Sequence, residues 1–312
     1  MSAPEPLFRP RRDLGRTGFL ATQIGIGDIA DRKLPREQLV ATLRRAMDAG
    51  LNVIDTAPMY EDGYSEEIVG LALRGRRDGM FVIDKVDHPD EPVAPQVEAS
   101  LERLGLEAVD LFLLHALDGM ENWKRASGPG GALEGLERAA RDGKCRFRGI
   151  SSHDPDVLAA AIPSGACDVV LLPVGPNCDL RFIDELLPLA RRSGVGTLAM
   201  KAFGAGKLLG DTEGYNQPLA ARPRGKFGSG GRAPAGKPQL PCLTVDECVH
   251  YTLTCDADVT LLGLSVPAEQ DAAFVAARSF KPLEPGAMAE VRRRAAEAIE
   301  GKGRVWWNPP GK

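Results

Sequence analysis

The chain has 312 residues, 43% of them hydrophobic and 26% charged, with a formal net charge of −4 and a pI of about 5.7. That is ordinary for a soluble globular protein, and the mildly acidic balance excludes the basic footprint of a nucleic-acid binder. No apolar run approaches the roughly 20 residues of a membrane span, and Met1 to Arg12, rich in Pro and Arg, has no apolar signal core. A cytoplasmic protein without a membrane partner is expected. The six cysteines do not form a disulfide framework, and the last three do not fall at C-x-x-C spacing, so reduced thiols and no metal site are expected.

In chain order, residues 7–22 read as two short strands around the turn Gly15-Arg16-Thr17-Gly18, and Gln23 to Gly27 as a strand. Pro35 opens a helix whose apolar positions Leu39, Leu43 and Met47 repeat at four, ending at Gly50. Strands follow at 51–55, 80–84, 109–114, 146–150, 168–174, 195–200 and 259–264. Helices are expected between them and after the last. Pro188 must bend the helix expected over 181–193 or sit in the first turn of a shorter one. Thr244-Val245-Asp246-Glu247 matches a capping box and starts a helix. Eight strand–helix units predict a (β/α)8 barrel over 1–312 as a single domain, with an N-terminal β-hairpin and a C-terminal extra helix and tail. An open doubly wound sheet is disfavoured because Ile24-Gly25-Ile26-Gly27-Asp28 lacks the third glycine of a dinucleotide turn. Residues 202–243 form a long Gly- and Pro-rich connection carrying Arg222, Arg224, Lys226, Arg232 and Lys237. Such a loop is a lid, a binding loop or a solvated insert.

Three successive strands finish in ionisable residues: Asp55, Lys85 and His115, with Tyr60 one short loop after Asp55. In a barrel the strand C-termini share one mouth. Alone, each residue has a bland explanation: a turn acid, an amphipathic loop phenol, a solvated lysine, a core histidine. Together they make a proton-handling set. An oxygen on which negative charge develops needs a proton, and a phenol near pKa 10 is a sluggish donor at neutral pH. An adjacent ammonium favours the phenolate, and a carboxylate keeps that ammonium charged and aimed. Strand alternation turns Asp84 away from Lys85, to a structural role.

The run Asp55-Thr56-Ala57-x-x-Tyr60, the Ser65-Glu66-Glu67 helix, Lys85 at a strand end and Leu113-Leu114-His115 resemble the aldo-keto reductases. The likeness extends through Gly149-Ile150-Ser151-Ser152, Met200-Lys201-Ala202-Phe203-Gly204 and Gly263-Leu264-Ser265, about residues 11–280. It implies that Tyr60 is the general acid/base, Lys85 its tuner and Asp55 the partner of Lys85. His115 would bind the substrate carbonyl oxygen, and a nicotinamide would supply hydride. The implied cofactor is NADP, with NAD possible, and the implied site is Ser151, Ser152, Met200, Lys201, Phe203, Gly204, Ser265 and Gln270. The substrate would be a small carbonyl compound or sugar, edged by Trp123 and His88.

Several of these positions depart from the family pattern. Ser152 stands where Asn is usual, Leu171 where Gln is usual, and Met200 or Lys201 where a stacking Tyr is usual. Ser265 to Gln270 carries no Lys or Arg for a 2′-phosphate. Either the basic 202–243 loop folds over the phosphates or it is an insert. Either His153 replaces the missing Asn or it neighbours the helix start at Asp154-Pro155. Trp306 and Trp307 wall a pocket or pin the tail. A nicotinamide-binding sensor with little catalysis is the second reading. A metal-dependent hydrolase is the third, and it lacks a His-x-His on its first strand.

Overall fold

A computed structural model describes residues 5–209, 241–300 and 305–308. Eight parallel strands close into a barrel in the order β10-β3-β4-β5-β6-β7-β8-β9. They are β3 (Ile24–Ile26), β4 (Val53–Asp55), β5 (Phe81–Val86), β6 (Val109–Leu114), β7 (Cys145–Ser151), β8 (Val169–Pro173), β9 (Gly196–Met200) and β10 (Val259–Leu262). The helices around it are α1 (Arg36–Asp48), α2 (Tyr64–Leu73), α3 (Val93–Leu104), α4 (Met120–Ser127), α5 (Ala132–Arg141), α6 (Pro155–Ala161), α7 (Leu187–Ser193), α8 (Val245–Thr254) and α9 (Pro267–Arg278). A further helix, α10 (Pro285–Ile299), follows the last barrel helix. Of the connection expected over 202–243, residues 210–240, with all five of its basic residues, lie outside the described residues.

Side chains alternate between two cores. Val53, Phe81, Ile83, Leu111, Leu113, Val169, Leu171, Leu198, Val259 and Leu261 fill the barrel interior. Ile54, Val82, Val86, Phe112, Leu114, Val170 and Leu172 pack outward against the helices. The period of two sorts each strand, and each fully buried large apolar side chain contributes about 1.5–3 kcal/mol. Phe19, Phe81 and Phe147 form one aromatic cluster in the interior, with centroids 5.0 and 6.0 Å apart. The hairpin of β1 (Arg12–Asp13) and β2 (Leu20–Ala21) closes the N-terminal end by inserting fully buried Leu14 into the interior cluster. Gly15 permits this closure. It has φ +48°, and a Cβ there would lie 2.2 Å from Gly196 N.

Two expectations are sharpened. Pro188 sits in the first turn of α7, and the chain before it, Phe182–Leu186, winds as a π-turn, so the proline's missing N–H does not break the packing. Thr244 and Glu247 form the expected reciprocal cap of α8, with Thr244 N donating to Glu247 Oε2 at 2.8 Å. One expectation is corrected. The segment after β6, where Trp123 was expected to edge the substrate, contains the helix α4, and Trp123 is only 7% exposed, packed in the outer core. The polar spacing Glu121, Lys124, Arg125 hid a short helix with only Trp123 and Ala126 buried.

Candidate active site

The inward rows end in chemistry. Val53 is followed on its face by Asp55, Ile83 by Lys85 and then Asp87, and Leu113 by His115. Parallel register sets β4, β5 and β6 side by side, with Asp55 paired to Ile83 and Lys85 to Leu113. Lys85 is sealed from solvent. Its Nζ donates to Asp55 Oδ1 and to Thr56 O, each at 2.6 Å, and lies 4.7 Å from the centroid of the Tyr60 ring. A buried ammonium needs such partners, since desolvation would otherwise discharge it. The Tyr60 and His115 rings meet edge to face, 5.7 Å between centroids at 86°. Thus the four predicted residues share one mouth.

The structure adds a fifth group. Asp87 Oδ1 is hydrogen-bonded to His115 Nδ1, with both side chains nearly buried. Burial pushes His115 below its ordinary pKa, the Asp87 bond opposes this, and the Lys85 charge adds to the lowering. Asp87 was legible in principle, because two residues past Lys85 is the same face of β5. Asp84 points outward as alternation requires, among the helices beside Glu66. Burial first, then repulsion from Glu66, pushes the Asp84 carboxyl well above the usual range. Its Oδ1 accepts from Lys85 N at 2.8 Å, and its Oδ2 has no donor among the described residues. Arg103 neutralises Glu66 with two hydrogen bonds, from Nε at 2.5 Å and Nη2 at 3.1 Å.

At the next strand ends the polar groups serve the backbone. Asp118, after β6, accepts from Ser152 Oγ at 2.9 Å and from His153 N at 2.6 Å, and its other oxygen lies 3.2 Å from His153 Nδ1. Asp154 caps α6 through Asp156 N, so His153 does neighbour a helix start. Its Nε2 is nevertheless buried with no partner among the described residues. Ser151 is buried at the end of β7. Leu171 fills the interior, and Met200 packs against it. Lys201 turns the chain sharply at φ +70°, and Phe203 and Gly204 follow, with Trp307 packed 3.4 Å from where a Gly204 Cβ would stand. Trp307 is fully buried and Trp306 stands edge-on to it, 4.8 Å away, so the tail is pinned to this segment. Buried Lys207 lies 5.7 and 5.8 Å from the two indole rings.

Four expected site residues have contacts within the protein. Gln270 is fully buried and spends its amide on α1, donating to Thr42 O at 2.8 Å and accepting from Arg45 at 3.1 Å. Ser265 N donates to Glu269 Oε2 at 2.7 Å, so that carboxylate occupies the start of α9. Trp123 lies within the core of α4, and His88 is an exposed loop residue whose backbone is held by Gln96. Among the described residues no cluster of His, Cys, Asp or Glu could hold a metal ion, and no helix is long and apolar enough to cross a membrane.

A closed (β/α)8 barrel whose mouth gathers a lysine–carboxylate pair, a phenol and an imidazole has the makings of a proton-transfer site at the catalytic face of that fold. The chain belongs to the aldo/keto reductase family, whose model matches residues 21–260. It is 28% identical over 243 residues to the NADH-specific methylglyoxal reductase of Escherichia coli, covering 70% of this chain and 72% of that one. It is 28% identical over 214 residues to the L-galactose dehydrogenase of Arabidopsis thaliana, covering 63% and 66%. The match to the methylglyoxal reductase YeaE of Escherichia coli is 36% identical but spans only 40% of that protein. Among solved structures, a holo aldo-keto reductase of Bacillus halodurans superposes with TM-score 0.68 at 21% identity, covering 93% of this chain and 96% of that one. A Klebsiella pneumoniae aldo-keto reductase in complex with NADPH gives TM-score 0.66 at 22% identity, covering 94% and 98%.

Proposed function

We propose that the protein is a nicotinamide-dependent oxidoreductase that interconverts small carbonyl compounds (aldehydes, ketones or sugars) and alcohols, with Tyr60 exchanging the proton on the substrate oxygen. The observation that carries this is the sealed Lys85 ammonium, held at 2.6 Å by Asp55 and Thr56 and set beside the Tyr60 ring. In a water-poor site that charge favours a phenolate strongly, so the phenol can release and recover a proton near neutral pH. Asp55 keeps the ammonium charged and aimed. His115, edge-on to Tyr60, orients the substrate oxygen between them.

A reduced nicotinamide, when bound, supplies the hydride. The residues suited to hold it are Ser151, Ser152, Met200, Lys201, Phe203, Gly204 and Ser265. The unpartnered Nε2 of His153 and the hydroxyls beside it fit a neutral carboxamide. NADP(H) is the nucleotide of this reading, as in the Klebsiella relative, and NAD(H) is its alternative. Residues 263–270 carry no cation, and Glu269 places a carboxylate at the start of α9.

Tyr60→Phe tests the reading. With nitrobenzaldehyde and NADPH the wild type should turn over, and the variant should lose about 10²–10⁴ in kcat. Equal rates would sink the role of Tyr60. Leu171 and Met200, apolar where the family usually presents Gln and Tyr, favour a second reading as a nicotinamide sensor. Tryptophan fluorescence titrations with NADPH and NADH, set beside the turnover assay, separate the two: binding without turnover in the wild type points to the sensor.

A further inference from the structure

Asp87 extends the inward row of β5 by one residue beyond Lys85, and its carboxylate meets His115 Nδ1. The two side chains are 5% and 11% exposed, so water competes little for this bond. A neutral imidazole carries its proton on one nitrogen and accepts on the other. A carboxylate only accepts, so the nitrogen facing it must be the N–H.

We infer that Asp87 is a positioning residue that commits His115 to the Nδ1–H tautomer, so that the neutral ring offers the substrate oxygen an acceptor at Nε2 and offers a donor only as the imidazolium. This rests on the reading of His115 as the residue that meets the substrate oxygen. A hydroxyl oxygen brings its own proton and can donate to the neutral ring. A carbonyl oxygen only accepts, and is bound by the imidazolium. The site would therefore hold alcohol and carbonyl with opposite protonation states of one histidine. The ionisable groups around that ring are Asp55 from β4, Tyr60 from the loop after it, Lys85 from β5 and Asp87 just beyond its end. Burial, against the pull of Asp87, pushes the imidazole below its ordinary pKa and so favours the neutral ring.

The tautomer can be read without turnover. In protein labelled with ¹⁵N-histidine, the chain's four histidines give resolvable long-range ¹H–¹⁵N patterns, and His115→Gln identifies the set that belongs to His115. At pH 8 the wild type should show a protonated Nδ1 and an unprotonated Nε2, and Asp87→Ala should shift the population toward Nε2–H. A wild-type His115 protonated on Nε2 would overturn the inference, and so would an Asp87→Ala spectrum with the wild-type tautomer. Kinetics supply an independent arm. Wild-type kcat/KM for carbonyl reduction should fall about tenfold per pH unit above the His115 pKa, the slope of one required proton, and in Asp87→Ala the limb should move up to that of the Tyr60 proton alone. An identical limb in the variant overturns the role of Asp87. A protein that never reduces a carbonyl fails the functional reading and leaves the spectroscopic result standing.

Discussion

The strand ends of β4 to β6 and those of β7 to β10 use polar residues differently. In the first group each ionisable side chain finds its partner in another: Lys85 with Asp55, His115 with Asp87. Beyond them the polar side chains are spent largely on the backbone: Glu269 holds Ser265 N and Val266 N, Gln270 holds Thr42 O, and Asp118, from the segment after β6, holds His153 through its N and its Nδ1. A charge paired with a charge in a sealed site stays available to act on a third group, because the low dielectric leaves its field unscreened. A charge spent on N–H groups shapes a loop. In the proposed reading one side of the mouth moves a proton and the other holds a shape.

Lys85→Met should disturb this division most. It leaves the Asp55 carboxylate buried without its ammonium, at a cost of about 3–5 kcal/mol in urea unfolding, together with loss of turnover. A variant as stable as the wild type would mean that the two sides do not differ in this way. Asp118→Ala attacks the other side. It should cost about 1–2 kcal/mol and weaken nucleotide binding in a fluorescence titration, while the Lys85–Asp55 pair stays intact. An unchanged nucleotide affinity would remove Asp118 from the account of the binding face. Thr244→Ala, away from both sides, is the control. Loss of its cap should cost about 1 kcal/mol in thermal or urea unfolding and leave kcat untouched.

Asp84→Asn has the smallest effect at any single pH, and its signature is a slope. Burial, and then Glu66, raise the Asp84 carboxyl, so the stability it contributes is present below its unfolded value of about 4 and is lost as pH rises through its folded value. The asparagine variant has no such term. Its urea midpoint should gain on that of the wild type as pH rises from about 4 toward neutrality. A gap that stays constant would show Asp84 ionised in the fold.

Much of this arrangement was legible. The strands ending at Asp55 and His115 and the strand carrying Lys85 followed from apolar runs and turn residues, and the barrel from their number. The outward turn of Asp84 followed from alternation. The helix α4 was missed because an eight-residue helix with two buried positions carries little periodicity. Asp87 was passed over because its bond joins residues 28 apart in the chain. The bond of Gln270 to Thr42, 228 residues away in the chain, could not be read from the sequence either.

What the order of residues determined is whatever depends on neighbours: which segments are strands, which face each side chain takes, and which strand ends carry ionisable groups. Those follow from steric and hydrophobic periodicity acting over a few residues. What only the tertiary structure decided is pairing, including which carboxylate meets the lysine, which meets the histidine, and which are absorbed by loops. Pairing is settled where barrel closure brings distant strand ends within hydrogen-bonding reach. There burial leaves each charge with one partner or with none.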